Sequence, residues 1–257
     1  MKNTALLIEY DGTEFGGWQI QPNAPTIQEK IQNAFLALTG KPCNLIGAGR
    51  TDAGVHAAGQ VANVLLDDDF PIPDEKIAIA LNTKMPDGIR IKKVARVPED
   101  FHARYDAVAR EYEYSFHTDD SVFYRNFSTY FKYPIDEDLL FTIANLFIGE
   151  HDFTSFSKNN PATKSHVCRV EKCEWQKTDA DKYKLTIRAN RFVYGMVRSI
   201  VGAMLEVAAE RKFPTDLIFC LQNPGRENYI KLAPPNGLVL RKVSYKQEIF
   251  KKIYKSK

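Results

Sequence analysis

The stretch IGAGRTDAGVHAAGQ, residues 46–60, constrains the fold of this chain of 257 residues more than any other segment. Its four glycines allow sharp turns and let another group approach the backbone closely. Among these small residues it places a cation and a carboxylate, Arg50 and Asp52, two positions apart. The pattern predicts an irregular loop that presents polar side chains. It contains neither a Walker motif nor a dinucleotide fingerprint.

Two interpretations of Asp52 remain open on the residues alone. On an extended segment, Arg50 and Asp52 would share one face, and the guanidinium would keep the carboxylate ionised as a candidate nucleophile. Asp-Ala-Gly is also ordinary turn chemistry, with Asp52 capping the turn and Arg50 as its counter-ion. Without further information, the structural interpretation is favoured.

Strands and helices alternate in both halves of the chain, which predicts an α+β protein. The predicted strands are TALLIEYDG, QVANVLLD, GIRIKKVARV, a pair around FHARYDAVAREYEYSF, and a hairpin of VEKCEWQK and KYKLTIRAN turning at TDAD. The predicted helices are one with a capping box at Thr26 and Glu29 that stops at Gly40, one over 73–82, one in DEDLLFTIANLFIG and one over 191–212. We expect two lobes, an N-terminal one over 1–105 that carries the glycine-rich loop and a C-terminal one over 106–257.

The helix predicted over 191–212 has a second face of interest. Arg191, Tyr194, Gly195, Arg198 and Gly202 fall on one side at helical spacing. Each glycine costs roughly 1 kcal/mol of helix propensity relative to alanine, which favours a functional reason for its presence. The face is predicted to admit another backbone or a nucleic acid, and the alternative is a solvated arginine pair on an amphipathic helix.

Charge is unevenly distributed along the chain. Residues 182–257 carry 16 Lys and Arg against 5 Asp and Glu, whereas residues 106–181 carry 8 against 14. A basic segment that also contains aromatic rings suits a nucleic acid, since cations hold phosphates and rings stack on bases. A solvated basic face explains the charge equally well.

Other functional classes lack support in the sequence. The four cysteines form no CxxC pair and are expected to be reduced thiols, and the five histidines form no metal-binding motif. No serine lies in a G-x-S-x-G elbow. No stretch approaches the roughly 20 apolar residues of a membrane span, and the N-terminal apolar run is too short for a signal peptide. We expect a soluble, cytoplasmic protein that uses no metal and no cofactor.

The chain closely resembles the tRNA pseudouridine synthase A family. GRTDAGVHA matches the family's catalytic motif, and further matches run from end to end: YDGTEFGGWQIQP, TIQEKIQNAF, LNTKMPDGIRI, FHARYDAVAREYEYSF, GEHDFTSFSK, RFVYGMVRSIVG and APPNGLVL. The resemblance implies two ferredoxin-like or RRM-like lobes whose antiparallel sheets join into one central sheet. It also implies a homodimer that binds the anticodon stem-loop of tRNA.

The activity implied by the resemblance is isomerisation of uridines 38, 39 and 40 of tRNA to pseudouridine. Asp52 matches the catalytic aspartate, which reverses the earlier preference for a turn cap. Arg50 matches the residue that holds this carboxylate and fills the space left by the flipped base. Tyr112 matches the active-site tyrosine, and Arg198 matches an arginine that pairs with the carboxylate. Residues assigned to substrate binding are Leu238, Arg104, His102, Trp18 and Arg191.

Small departures from the family pattern and two alternatives remain. Phe15 and Gly17 stand where a tyrosine and a bulkier residue are expected, which would alter stacking against RNA. HVCRV stands where the family often has Thr-Val-Arg, which leaves open whether Cys168 makes a contact near the site. A non-catalytic RNA-binding or tRNA-folding protein on the same scaffold is the main alternative. The four matched catalytic residues argue against it. A sister synthase acting on ribosomal RNA should lack the GRTDAGVHA context.

Overall fold

The computed structural model of the protein describes residues 1–228 and 230–250. Its strands are β1 (Lys2–Tyr10), β2 (Leu45–Gly47), β3 (His56–Leu66), β4 (Ile89–Arg96), β5 (Ala107–His117), β6 (Thr129–Tyr130), β7 (Gly149–Asp152), β8 (Val167–Asp179), β9 (Lys182–Ala189) and β10 (Leu238–Tyr245). Its α-helices are α1 (Ile27–Thr39), α2 (Asp74–Asn82), α3 (Glu137–Ile143), α4 (Met196–Ala208) and α5 (Pro214–Gln222). Single 3-10 turns cover Val122–Tyr124, Ala144–Phe147, Arg226–Asn228 and Pro235–Gly237. The predicted α+β class is confirmed.

The chain forms two compact units. Unit 1 contains Met1–Val108 and the segment that begins at Leu240, and unit 2 contains Ala109–Val239. The prediction that residues 106–257 form one lobe is therefore wrong for the last strand. Most of β10 belongs to unit 1, where it lies beside β3. At this contact a side chain on Gly59 would come within 2.3 Å of the carbonyl oxygen of Arg241, so the absence of one permits the close approach.

Unit 1 is a sheet with two helices. Its strand order is β4-β1-β3-β10, with β2 also paired to β3, and the β1–β3, β1–β4 and β2–β3 pairs are antiparallel. Thr26 and Glu29 form the predicted capping box at the start of α1, and Gly40 ends the helix in the left-handed conformation. The apolar faces of α1 and α2 supply buried residues to the core, including Ile31, Phe35 and Leu81.

Unit 2 has an antiparallel sheet in the order β5-β9-β8-β7, and the short strand β6 adds to β5 in parallel. Alternate residues of β9 are buried, from Tyr183 to Ala189, which is the period-2 pattern of a strand with one face on a core. In that core the indole N–H of Trp175, on β8, points at the sulfur of Met204, on α4, at 3.4 Å. No helix among residues 1–228 and 230–250 is long and apolar enough to cross a membrane.

Two predicted elements differ from the structure. The segment around 101–116 is not a pair of strands, because residues 101–106 turn and only β5 follows. The last long helix begins at Met196 and not at residue 191. Gly195 precedes it with φ +76°, and this left-handed conformation interrupts the helix. Arg191 and Tyr194 therefore lie outside α4, and the face predicted to hold five residues on one helix holds Arg198 and Gly202.

Candidate active site

The glycine-rich loop joins β2 to β3 in unit 1. After Gly47 the chain leaves the strand, and it returns to regular structure at His56. The carbonyl of Asp52 accepts a hydrogen bond from the amide of Val55 at 3.1 Å, closing a turn in which Gly54 has φ +76°. This conformation favours glycine and explains the glycine of Asp-Ala-Gly. The side chain of Arg50 is exposed, and that of Asp52 is half-buried.

Buried polar side chains of the sheet form hydrogen bonds that hold the loop in place. The hydroxyls of Tyr10, on β1, and Thr51 lie 2.8 Å apart, and the Gln60 amide, on β3, donates to the carbonyl of Gly49 at 2.9 Å. Burial raises the pKa of Tyr10 to about 12, so its phenol is neutral at physiological pH. Residues 49 and 51 are thus fixed on both sides of Arg50, and Asp52 follows directly.

Gly17 and Trp18 support the same loop. The backbone amide of Trp18 donates to the carbonyl of Thr51 at 3.0 Å. Gly17 has φ +94°, and a Cβ there would lie 2.5 Å from that carbonyl oxygen and 2.9 Å from the carbonyl carbon of Asp52. A bulkier residue, which the family pattern led us to expect at position 17, does not fit this arrangement.

Aromatic rings fill the space next to this support. The indole of Trp18 is 3% exposed, and a side chain on Gly47 would come within 2.6 Å of it. Phe15 is 9% exposed, and its carbonyl accepts from the amide of Gly54 at 3.3 Å. The Trp18 ring therefore packs beside the end of β2 and the Phe15 backbone holds Gly54, and the substrate contact of Trp18 stays a prediction.

His102 and Arg104 lie on the turn that precedes β5. The amide of His102 donates to the carboxylate of Asp106 at 2.7 Å, and the ring atom Nδ1 of His102 accepts from the amides of Arg104 and Tyr105 at 3.2 and 3.3 Å. The side chain of Arg104 is exposed. The FHAR motif is therefore a compact turn in unit 1 that directs a cation to solvent.

Unit 2 carries the other predicted residues, and Tyr112 lies in the middle of β5. Its ring is 9% exposed and meets Phe192 edge-on, with centroids 5.1 Å apart. Leu238 is the first residue of β10 and is 6% exposed. The turn before it is tight, since a Cβ on Gly237 would lie 2.4 Å from the carbonyl oxygen of Ser115. Both side chains have a defined position and little freedom.

Arg198 is fixed by the segment 231–233. Its Nε donates to the carbonyl of Ala233 at 2.7 Å, and its own carbonyl accepts from the amide of Ala233 at 2.9 Å. One helical turn later, a Cβ on Gly202 would lie 2.4 Å from the carbonyl oxygen of Lys231. The close approach predicted for this face is thus made by the chain's own backbone, which orients the Arg198 guanidinium.

Arg191 and Cys168 lie at another place in unit 2. Arg191 is exposed and follows β9. Its positive charge opposes the effect of burial on the thiol of Cys168, yet burial dominates and raises the pKa of this fully buried thiol to about 11. The cysteine found in HVCRV is therefore an inert core residue, and its side chain offers no contact to a substrate in this conformation.

The supporting roles of Tyr10, Gly17 and Gln60 were not predicted from the sequence. Tyr10 and Gly17 lie 41 and 34 positions before Thr51, and Gln60 lies 11 positions after Gly49. No local pattern connects them to Arg50 and Asp52. One available signal is Gln60, a polar side chain in a strand made mostly of small and apolar residues. Within the described ranges, no group of three His, Cys, Asp or Glu side chains is arranged to hold a metal ion.

Comparison with known proteins identifies the chain's family. A family model described as tRNA pseudouridine synthase matches residues 6–106 and 143–246. Proteins named tRNA pseudouridine synthase A from Caldicellulosiruptor saccharolyticus and Bacillus pumilus are each 40% identical, over 95% and 93% of this chain and 100% and 97% of their own. The protein of that name from Bacteroides fragilis is 39% identical over 95% of this chain and 97% of its own. The chain therefore belongs to the tRNA pseudouridine synthase A family, whose members are isomerases that modify tRNA.

Proposed function

We propose that this synthase converts uridines 38, 39 and 40 in the anticodon stem-loop of tRNA to pseudouridine, with Asp52 as the catalytic carboxylate. The supporting observation is the loop of Arg50, Thr51 and Asp52. Buried hydrogen bonds and close backbone contacts fix this loop, yet Arg50 is exposed and Asp52 is only half-buried. A rigid support with accessible charged side chains is what a reacting group needs.

The reaction breaks the N1–C1′ bond of uridine, rotates the base and joins C5 to C1′. Atoms balance within the nucleotide, because the hydrogen lost from C5 is replaced by one at N1. The Asp52 carboxylate acts on the sugar in one of two ways. It attacks the sugar to form an adduct, or it removes a sugar proton after glycosidic cleavage to give a glycal. Both routes need an ionised carboxylate.

Arg50 is proposed to take the place of the target base in the base stack of the RNA. A uridine inside a stem must leave its neighbours before its sugar is accessible, at a cost of a few kcal/mol. An exposed guanidinium beside the catalytic residue can occupy the vacated space, since its planar face stacks and its N–H groups bind the unpaired partner base. For Arg198 and Leu238 in unit 2, we propose the roles that the resemblance implies.

Tyr112 is proposed to contact the target base and to assist removal of the proton from C5. We expect Tyr112→Phe to keep the fold and lower the single-turnover rate by about 100-fold or more, because a proton-transfer group contributes ~10²–10⁴-fold. Tritium release from [5-³H]uridine-labelled tRNA measures the rate, and Tyr130→Phe, at a ring 45% exposed, is the matched control. A near-normal rate for Tyr112→Phe would assign the role to the ring and not to its hydroxyl.

The basic segment is proposed to bind tRNA phosphates. Its exposed cations within the described residues include Arg191, Lys212, Lys231, Arg241, Lys242 and Lys246. We expect the Kd for tRNA to rise steeply with salt concentration. For each phosphate neutralised, a tenfold rise in salt concentration should raise the Kd by about tenfold. The single-turnover rate at saturating enzyme should change little. Filter binding between 50 and 200 mM KCl tests this, and a salt-independent Kd would contradict it.

We also propose that the enzyme is a cytoplasmic homodimer, as the resemblance implies. The four cysteines are free thiols, which suits a reducing compartment. Light scattering coupled to size exclusion measures the mass of the particle, and a monomer at micromolar concentration would contradict the dimer. The alternative of a non-catalytic tRNA-folding protein predicts tRNA binding without tritium release.

A further inference from the structure

We propose that Tyr105 is a stacking site for an unpaired nucleobase of the tRNA substrate, presented by a turn that the side chains of Asn3, Asn63 and Tyr245 hold in place. The proposal rests on the proposed function for its substrate, and it assigns a contact that the resemblance does not supply. All four residues belong to unit 1.

The ring of Tyr105 is displayed to solvent. It is 74% exposed, although burial of an aromatic side chain ordinarily stabilises a fold. The imidazole of His102 lies against it, with centroids 4.3 Å apart and planes at 37°, and the guanidinium carbon of Arg104 lies 5.7 Å from the ring centroid. These neighbours fix the orientation of the ring and leave most of its surface open.

The turn beneath the ring is anchored by a buried pair of asparagines. The side-chain amide of Asn3, on β1, donates to the carbonyl of Phe101 at 2.8 Å, and that of Asn63, on β3, donates to Oδ1 of Asn3 at 3.0 Å. Oδ1 of Asn63 accepts from the amide of Ala103 at 2.9 Å. Both asparagines are 3% exposed. Two buried amides that are satisfied in this way specify one backbone conformation.

Tyr245, on β10, completes the anchor. Its hydroxyl donates to the carbonyl of Ala103 at 2.7 Å, and its ring packs on Phe101 with centroids 5.2 Å apart. Ala103 itself is fully buried, whereas the next two residues point outward. In this turn, Ala103 therefore faces the core, and Arg104 and Tyr105 face solvent.

An exposed ring beside a cation, on a rigid turn, has the chemistry of a nucleobase platform. Every base has a π-face, so an aromatic ring binds it by stacking with little sequence preference, and an adjacent guanidinium binds the phosphate. Because hydrogen bonds from three side chains already order the turn, little conformational entropy is lost on binding. A nucleobase of the tRNA that is not stacked within a helix fits such a site.

The test compares ring removal with ring retention. We expect Tyr105→Ala to raise the Kd and the KM for tRNA about tenfold, in the range measured for base–aromatic stacking, and to leave kcat within twofold. Tyr105→Phe should bind within twofold of wild type. Phe213→Ala, at a ring 72% exposed, should bind as wild type does. The tenfold difference should persist between 50 and 200 mM salt, since stacking is not an ionic contact.

Fluorescence gives an independent readout. The two native tryptophans, Trp18 and Trp175, are 3% and 5% exposed, so a Tyr105→Trp variant adds the one solvent-facing indole among the described residues. We expect tRNA to quench this added emission, and Tyr245→Phe in the same background to reduce the quenching at a given tRNA concentration.

Several results would overturn the proposal. They are wild-type affinity in Tyr105→Ala, equal weakening in Tyr105→Phe, no quenching in Tyr105→Trp, or a change of oligomeric state in Tyr105→Ala with no change in tRNA affinity. Failure of the proposed function is a different observation. In that case the wild type forms no pseudouridine at positions 38–40, whatever the affinity of the Tyr105 variants.

Discussion

Asp52→Asn is expected to abolish turnover, with a fall in the single-turnover rate of about 10⁴-fold or more, the scale seen when a catalytic residue is removed from a covalent mechanism. The substitution keeps the size of the side chain and removes its charge. The turn should survive, because Val55 donates to the backbone carbonyl of residue 52 and Gly54 supplies the positive φ. The tRNA Kd should therefore stay within a few fold of wild type.

The measurement pairs tritium release with filter binding. Asp87→Asn, at an exposed carboxylate that is ion-paired with Arg90, is the matched control and should leave both quantities unchanged. A rate for Asp52→Asn within tenfold of wild type would remove Asp52 as the catalytic carboxylate. A large rise in Kd together with the lost rate would indicate that the substitution had disturbed the loop.

Gly17→Ala is expected to have the second largest effect, although residue 17 carries no reacting group. At φ +94° an alanine is strained by ~1–3 kcal/mol, and its Cβ would lie 2.5 Å from the carbonyl oxygen of Thr51. Since both the strain and the contact favour displacement of residues 51–53, Asp52 should move from its productive position. A misplacement of about 1 Å costs ~10²-fold in rate, so we expect a loss of that size in kcat.

Gly40→Ala separates the effect of backbone strain from the effect of the contact with residues 51–53. Gly40 also has a positive φ, +70°, but a Cβ there meets nothing within 4 Å. We expect both variants to melt several degrees lower than wild type, and only Gly17→Ala to lose activity when assayed well below its melting temperature. Equal activity of the two variants would show that the contact with residues 51–53 does not position Asp52.

Local patterns were sufficient for most secondary structure. The capping box of Thr26 and Glu29 and the alternation in β9 are short-range signals, and both elements form where they were expected. The start of α4 was misplaced because helical periodicity continues through Gly195 in the sequence, whereas the backbone there is left-handed. A glycine allows both conformations, so composition alone cannot decide between them.

Long-range support was not predictable in the same way. The pairing of β10 with β3, the hydroxyl contact between Tyr10 and Thr51, and the contact of Gly17 with the loop join residues far apart in sequence. Family resemblance could assign a role to Asp52 because its motif is local, and that role stays a prediction. It misjudged Gly17 because the reason for a glycine there lies 34 residues further along the chain, at Thr51.

We expect this chain to make pseudouridine at tRNA positions 38–40 through Asp52. The test is tritium release from [5-³H]uridine-labelled tRNA transcripts in EDTA. One transcript has uridine at positions 38, 39 and 40. In the other, all three uridines are replaced and the base pairs that they form are restored by matching changes on the opposite strand. We expect up to three equivalents of release from the first transcript with wild-type enzyme. We expect no release from the second transcript, and none from either transcript with Asp52→Asn. Equal release from both transcripts, or release by Asp52→Asn, would contradict this expectation.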